Sequence, residues 1–475
     1  MSNTINTKIL LTVMILGCFL STLNQTLLNV ALSSLMEVFS VEATTVQWLS
    51  TGFMLVNGVL IPITAYLMKR FSTRQLFISS MLFLLLGSIL CAAAPNFSVL
   101  LTGRMIQAVG AGIIMPLMMS VVMFIFPIEK RGSAMGLIGL AIIFAPAIAP
   151  TLAGFVIEFI SWRWLFIGLI PFVVIIIGLA LKYLVNVTET ENAKLDIPSV
   201  ILSTSGFGLM LYGVSSAGKN GWEDPVVVGT IIAGIVITGM FCLRQLKSDD
   251  PLLNLVVFKN KTFTMTSLIN ILVTMMMYAD MTLLPIYLQD GRSFTAFDAG
   301  LLLLPGALVN AFLSPITGKL FDRFGAKPLF IIGIIFIIPS MWVITDLSAD
   351  TTYMFLMIRT VFLRIGLSFI TMPLNTAGLN ALPKSLITHG TAVNNTVRQL
   401  AGAIGTAVVV TVFSTQTTGY TTELAAEMTD SPMTAIQKLA ISYGTSDAYY
   451  FMMILAILAL VLTLFTQPKA ASKSG

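Results

Sequence analysis

The sequence predicts an all-α polytopic membrane protein of about 14 transmembrane helices. Three observations predict it: the composition, the spacing of the apolar runs, and an internal repeat. Of 475 residues, 56% are hydrophobic and 10% charged, with a mean hydropathy of +0.94. A soluble domain carries about 25% charged residues, and a disordered chain is poorer still in apolar ones. Both classes are excluded. A spanning helix needs about 20 mostly apolar residues to cross a hydrocarbon core about 30 Å thick. Such stretches fall at 9–35, 46–68, 76–94, 98–126, 133–158, 162–185, 197–217, 225–245, 263–288, 299–320, 328–345, 353–377, 391–416 and 448–466. Ten-residue segments of alternating polarity are absent, which excludes a membrane β-barrel.

The first run is too long for a signal-peptide core and lacks a small-residue cleavage signal, so it reads as the first span. With the N-terminus inside, the inner loops hold 18 of the Lys and Arg residues. The outer loops hold only Arg163, Lys219, Arg292 and Lys438. That asymmetry predicts cytoplasmic termini and an even number of spans. The net charge of +5 comes without any basic run interleaved with aromatics, so nucleic acid is not expected as a partner.

The repeat joins Pro62–Ile78 to Pro315–Ile331, 253 positions later. Each copy ends one span, crosses a short basic loop and starts the next. A looser echo is Met115-Pro116-Leu117 against Met372-Pro373-Leu374. The copies bridge spans two–three and ten–eleven. The offset is therefore eight spans, which predicts two six-helix bundles plus two inserted central helices. The expected boundaries are 1–190, 191–255 and 256–475. Glu189, Glu191, Asp249 and Asp250 mark the polar flanks of the insertion. The longest outer loop, 417–449 with Glu423, Glu427, Asp430 and Asp447, reads as a solvated cap.

Little of the chemistry is enzymatic. Cys18, Cys91 and Cys242 sit in apolar stretches without paired spacing, and His389 is the single histidine. A disulfide, a metal site, a cofactor and a nucleophile–base pair are all unexpected. No phosphate-binding Gly-rich loop is present, which argues against ATP drive. Charge inside spans is expensive and marks function. Arg104, Arg359, Arg364 and Arg398 are such residues. So is Asp280, about 17 residues into its span, where a carboxylate next to a cation is poised to exchange protons. Asn270, Thr274 and Met277 are expected to share its face. Glu37 and Glu158 fall at outer span ends, as secondary candidates for the same task. The 27 methionines suit core packing and an adaptable cavity.

Four motifs carry a resemblance. Gly318-Lys319-Leu320-Phe321-Asp322-Arg323-Phe324-Gly325-Ala326-Lys327 resembles the GxLxDRxGxK loop of the major facilitator superfamily. The resemblance implies a conformational latch, with Asp322 capping a helix N-terminus and pairing with Arg323, and Gly318 and Gly325 permitting close approach. In the first copy, Lys69 and Ala65 replace the Asp and the first Gly. Ala145-Pro146-Ala147-Ile148-Ala149-Pro150-Thr151-Leu152-Ala153-Gly154 resembles the GPxxGPxxGG motif of exporters, and implies a bent span five, with Pro146, Pro150 and Gly154, packing tightly on the other bundle. Arg104-Met105-Ile106-Gln107-Ala108-Val109-Gly110 resembles RxxQGxG, and implies a role for Arg104 in proton transfer or in charge compensation in the cavity, beside Gln107. Leu23-Asn24-Gln25-Thr26-Leu27-Leu28-Asn29-Val30-Ala31-Leu32 resembles the LDxTxxNVALP signature of the fourteen-span drug/proton antiporters, the QacA/EmrB-like multidrug exporters of bacteria. Here Asn24 replaces the Asp, so it carries no proton. Ser21, Gln25 and Asn29 form a polar seam, and Asn24, Gln25 and Asn29, with Gln107, Asn270 and Met277, are the expected substrate-cavity residues. Arg398-Gln399 matches an RQ pattern of the same family.

The resemblance implies a major facilitator fold in a bacterial cell membrane, exporting amphipathic or cationic drugs against protons as a monomer. A dedicated lipid or metabolite exporter and an uncoupled facilitator stand as alternatives, and a receptor or channel on the same scaffold as a non-transport one.

Overall fold

The computed structural model describes residues 7–187, 196–346, 351–428 and 432–465. Among these residues fourteen helices are long and apolar enough to cross a membrane, and no strand occurs. They are α1 (Thr7–Phe39), α2 (Trp48–Arg70), α3 (Thr73–Ala92), α4 (Phe97–Ile125), α5 (Ile128–Phe159), α6 (Trp164–Tyr183) and α7 (Ile197–Asn220). The rest are α8 (Pro225–Lys247), α9 (Lys261–Ile286), α10 (Ala296–Phe324), α11 (Ala326–Trp342), α12 (Tyr353–Asn380), α13 (Ile387–Glu427) and α14 (Met433–Phe465).

Local chemistry sets the ends. Ser72 and Gln75 form a reciprocal capping box on α3, as Thr295 and Asp298 do on α10. Asn96 and Thr352 cap α4 and α12. Gly325, at φ 77°, ends α10 and starts α11 with no linker, a conformation that favours glycine. Pro285 near the end of α9 leads into one π-helical turn, Tyr287–Gly291. The expected outer loop 417–449 is mostly helix, because α13 runs on to Glu427 and α14 begins at Met433. The Thr-, Ala- and Glu-rich segment is too polar for lipid but still helix-forming; hydropathy locates the membrane edge, not the helix end. Gln416 and Tyr420 donate to Asp447 across this extension.

Helices α1–α6 pack among themselves, as do α9–α14, and the same pairs recur eight helices apart. Helix α1 lies on α4, α5 and α6; α9 lies on α12, α13 and α14. Of two large buried apolar clusters, one lies within α9–α14, while the other fills α1–α6 and extends into the second group through Phe263, Leu379, Ile387 and Val393. The principal seam between the groups is α5 against α10. Its counterpart, α2 against α13, is flanked by α7, which touches both helices. Helix α8 packs on α7 and exposes Ile232, Ile235, Leu243 and Leu246, a surface suited to lipid. Trp222, between α7 and α8, donates to Thr411 of α13. At the other end of the hairpin Arg244 holds Asp196 below the usual carboxylate range, chiefly by hydrogen bonding. That contribution is present above the usual carboxylate value and is lost as pH falls through the lowered one. Glu189, Glu191 and the expected boundary at 191 lie outside the described residues, as does Asp430.

Candidate functional site

Lys69, Arg70, Lys130, Arg131, Lys319, Arg323 and Lys384 gather where α2 and α10 end and α5 and α13 begin; we call this the basic face. The opposite end is the far face.

Asp280 lies about 28 Å along α9 from that helix's basic-face start, at 1.5 Å per residue. Its carboxylate is fully buried. Oδ1 accepts from Arg359 Nη1 at 3.0 Å and Tyr449 Oη at 2.8 Å, and Oδ2 accepts from Arg364 Nη2 at 3.3 Å. Arg359 also donates Nε–H to the Ser340 carbonyl at 2.8 Å and lies 4.6 Å over the Tyr449 ring. The cluster thus joins α9, α11, α12 and α14. Among the described residues Asp280 is the single buried acid, and it faces two guanidinium groups. Tyr449 escaped the sequence reading. Its signal was a tyrosine pair opening the aliphatic part of α14, since a buried phenol seeks a hydrogen-bond partner.

A second cluster surrounds Arg104 on α4, also fully buried. Its Nη1 donates to Gln107 Oε1 at 2.9 Å and reaches the Asn24 carbonyl and Oδ1 at 3.2 and 3.4 Å. Gln107 donates to Ser88 at 2.9 Å, and the guanidinium lies 4.4 Å over the Phe53 ring. No carboxylate pairs with Arg104 among the described residues.

The basic face is closed by the α5–α10 seam. Asp322 Oδ1 accepts from Gly132 N–H at 2.7 Å, and Oδ2 accepts from the Ser133 N–H at 2.8 Å and hydroxyl at 2.5 Å. The carboxylate therefore binds the second turn of α5. Its expected pairing with Arg323 is absent: that guanidinium lies over the Phe324 ring at 5.1 Å. Arg131 is the arginine that bridges the halves, donating to Asn380 at 2.8 Å. Close approach comes from Gly132, Gly136 and Gly139 of α5 against Gly318 and Ser314 of α10. This small-residue stripe was readable in sequence but overshadowed by the proline motif further along α5. There, Ala145, Ala149 and Ala153 turn into the core of their own half, and Gly154 has no atom within 4 Å of where a Cβ would stand. The expected tight packing of that segment on the other bundle is thus displaced one half-helix toward the basic face. Pro146 is half-buried within the continuous α5, and the Pro150 side chain lies outside the described residues. Gly300 of α10 is equally unobstructed, so the seam loosens toward the far face.

Asp322→Asn keeps one acceptor oxygen but sets its NH2 against the other backbone donor. It is expected to weaken closure by about 1–3 kcal/mol, the cost of a buried unsatisfied donor. Faster thiol labelling of a cysteine placed at Ser314 is the readout.

Other predicted residues separate from these clusters. Asn270 donates to Asn394 at 2.9 Å and, with Asn375, forms a buried amide group nearer the basic face. It does not share Asp280's face, because ten residues rotate about 1000°, leaving the two about 80° apart. Met277 is half-buried in the second apolar cluster. Gln25 is half-buried, and the side chain of Asn29 lies outside the described residues. Glu37 and Glu158 are exposed. Arg398 of α13 is half-buried at the junction of the halves, within electrostatic range of Cys18 on α1. An apolar cleft of about 580 Å³ between α1, α5 and α6, lined by Leu16, Phe19, Leu152 and Phe172 among others, touches none of the predicted site residues.

The family profile described as Major Facilitator Superfamily matches residues 14–406. The chain is 49% identical over 423 residues to the MFS-type transporter YhcA of Bacillus subtilis (strain 168), covering 89% of this chain and 80% of that protein. It is 41% identical over 450 residues to the lincomycin resistance protein LmrB of the same organism, covering 94% and 93%. Among solved structures, the human organic anion transporter MFSD10 (TETRAN) superposes with a TM-score of 0.69 over 96% of this chain and 99% of that one. At 14% identity that likeness speaks to the fold alone. Six-helix groups repeated eight helices apart, the matched family profile and these relatives agree: the chain belongs to the major facilitator superfamily, a membrane transporter and not an enzyme.

Proposed function

We propose that the protein exports amphipathic drugs in exchange for protons by alternating access, with Asp280 as the proton-carrying group. One observation carries the reading: the single buried acid among the described residues is shared by two arginines and a tyrosine from two other helices. Protonation cancels the counter-charge of Arg359 and Arg364 together. The packing of α9, α12 and α14 then favours a different arrangement, and proton uptake is thereby coupled to rocking. Asn24 is an amide and takes no part in proton carriage. The seam geometry suits a state open to the far face, with Asp322 and the α5 glycines holding the basic face shut. We read that face, and both termini, as cytoplasmic from the excess of basic loop residues, and the bacterial relatives support a bacterial cell membrane. Segments 1–190 and 256–475 act as the rocking halves, 191–255 as the inserted pair, and one copy suffices.

The lincomycin-resistance relative supports a drug as cargo. A cationic drug is the weaker half of the sequence reading, because both Asp280 oxygens are already engaged by donors. Amphipathic character is what we carry forward. The test is drug accumulation in proteoliposomes under an imposed pH gradient, with and without an uncoupler. Gradient-dependent, uncoupler-sensitive movement is expected. Equal movement in both conditions would leave a facilitator, and none at all a receptor.

A further inference from the structure

The Asp280 cluster has a copy in the first half of the chain, and the copy lacks its acid. Leu23-Asn24-Gln25-Thr26-Leu27-Leu28 of α1 matches Ala279-Asp280-Met281-Thr282-Leu283-Leu284 of α9 at an offset of 256, and Arg104 matches Arg359 at 255. The helix pairs α1–α4 and α9–α12 are themselves equivalent in the packing. In both, the arginine Nη1 points at the partner side chain, Oδ1 of Asp280 at 3.0 Å and Oδ1 of Asn24 at 3.4 Å.

The two copies differ in what remains. Arg359 finds acceptors in Asp280, the Ser340 carbonyl and the Met341 sulfur. Arg104 Nε and Nη2 and Asn24 Nδ2 are buried and meet no acceptor from the protein. All three are donors, and a guanidinium keeps its charge. Neighbours from the packed elements are Phe53 of α2, Ser88 and Cys91 of α3 and Gln107 of α4, none of them an anion. Arg398, on α13, adds a cation near α1 that has no ion pair among the described residues. A charge so placed in a membrane protein is costly until something negative meets it.

We infer that Arg104 and Asn24 form a binding site for an anionic group, a carboxylate or comparable monovalent anion, seated where the second half supplies the carboxylate of Asp280. The substrates favoured for export then carry such a group on an apolar body. The inference deepens the export reading and rests on it for the word substrate. The anion site itself is tested without transport.

Purified full-length protein in detergent is titrated with sodium benzoate, sodium chloride or benzyl alcohol at matched ionic strength, and the thermal unfolding midpoint is followed. Benzoate is expected to raise the midpoint saturably, and benzyl alcohol is not. Asn24→Asp fills the site from within, and Arg104→Gln removes its charge. Each is expected to weaken benzoate at least about tenfold, the loss of one charge-assisted hydrogen bond. If Asn24→Asp fails to fold, Arg104→Gln carries the comparison alone. Benzoate binding unaffected by chloride supports a substrate carboxylate. Competition by chloride supports a site for small anions generally. Chloride binding without benzoate binding overturns the substrate assignment. No saturable benzoate effect, or equal affinity in the folded variants, overturns the site. Failure of proton-driven export would show only in the proteoliposome assay, so the two readings fall separately.

Discussion

Asp280→Asn is expected to abolish drug-dependent proton flux and concentrative efflux while leaving drug exchange down a gradient intact. The amide keeps an oxygen able to accept from Arg359 and Tyr449, but it takes up no proton, and two guanidiniums lose their counter-charge. Breaking a buried ion pair by removing one partner costs about 3–5 kcal/mol. The retained amide oxygen should place this variant at the lower end. Asp280→Glu keeps the titrating group and should restore part of the flux. Arg364 refines the test. Among the described residues its one ion pair is with Asp280, at 11% side-chain exposure, whereas Arg359 is also tied to Ser340, Met341 and Tyr449. Arg364→Gln should therefore shift the pH at which flux is half-maximal with little loss of stability, and Arg359→Gln should chiefly destabilise. The measurements are flux in inverted vesicles with a pH-sensitive dye, and thermal unfolding. Undiminished flux from Asp280→Asn would remove the coupling assignment.

The spans, their number and the burial of Asp280 were legible because each depends on local composition, which a membrane enforces strictly. The Gly318–Lys327 motif was legible because its residues are contiguous. Partnerships were not. Tyr449 lies 169 positions from Asp280, and nothing local joins them. Asn270 was placed with Asp280 by proximity in sequence, although helix rotation turns it toward Asn394. The equivalence of Asn24 and Asp280 was present at an offset of 256, but four matched positions among apolar residues are weak until packing shows the two helices to be counterparts. The seam was misplaced along α5 for a related reason. A proline motif stands out in sequence, whereas spaced glycines gain meaning only from the helix opposite.

That seam yields the second large effect. Gly318→Val is expected to prevent closure of the basic face, because the new Cβ would meet the Gly132 carbonyl group and lie 3.2 Å from Gly136 Cα. These are backbone atoms, so no rotamer change relieves the overlap, and α5 and α10 must move apart. Overpacking costs about 1–3 kcal/mol, and separation also strips Asp322 of three donors worth about 1 kcal/mol each. Even about 3 kcal/mol of that sum changes the ratio of the two states by more than about 100-fold. A transporter held open at the basic face still binds drug but no longer delivers it, so efflux should fall to background. The state can be read directly from a cysteine at Ser314, 1% exposed beneath the seam, on a background free of Cys18, Cys91 and Cys242. Labelling by a permeant maleimide should accelerate with Gly318→Val and, through the same contact, with Gly132→Ala. Gly178→Ala, on α6 with nothing within 4 Å of its added Cβ, serves as the matched control and should leave labelling unchanged. If Gly318→Val labels no faster than the control, the glycine contact does not hold the basic face shut, and closure must reside in Arg131–Asn380 and Asp322 alone.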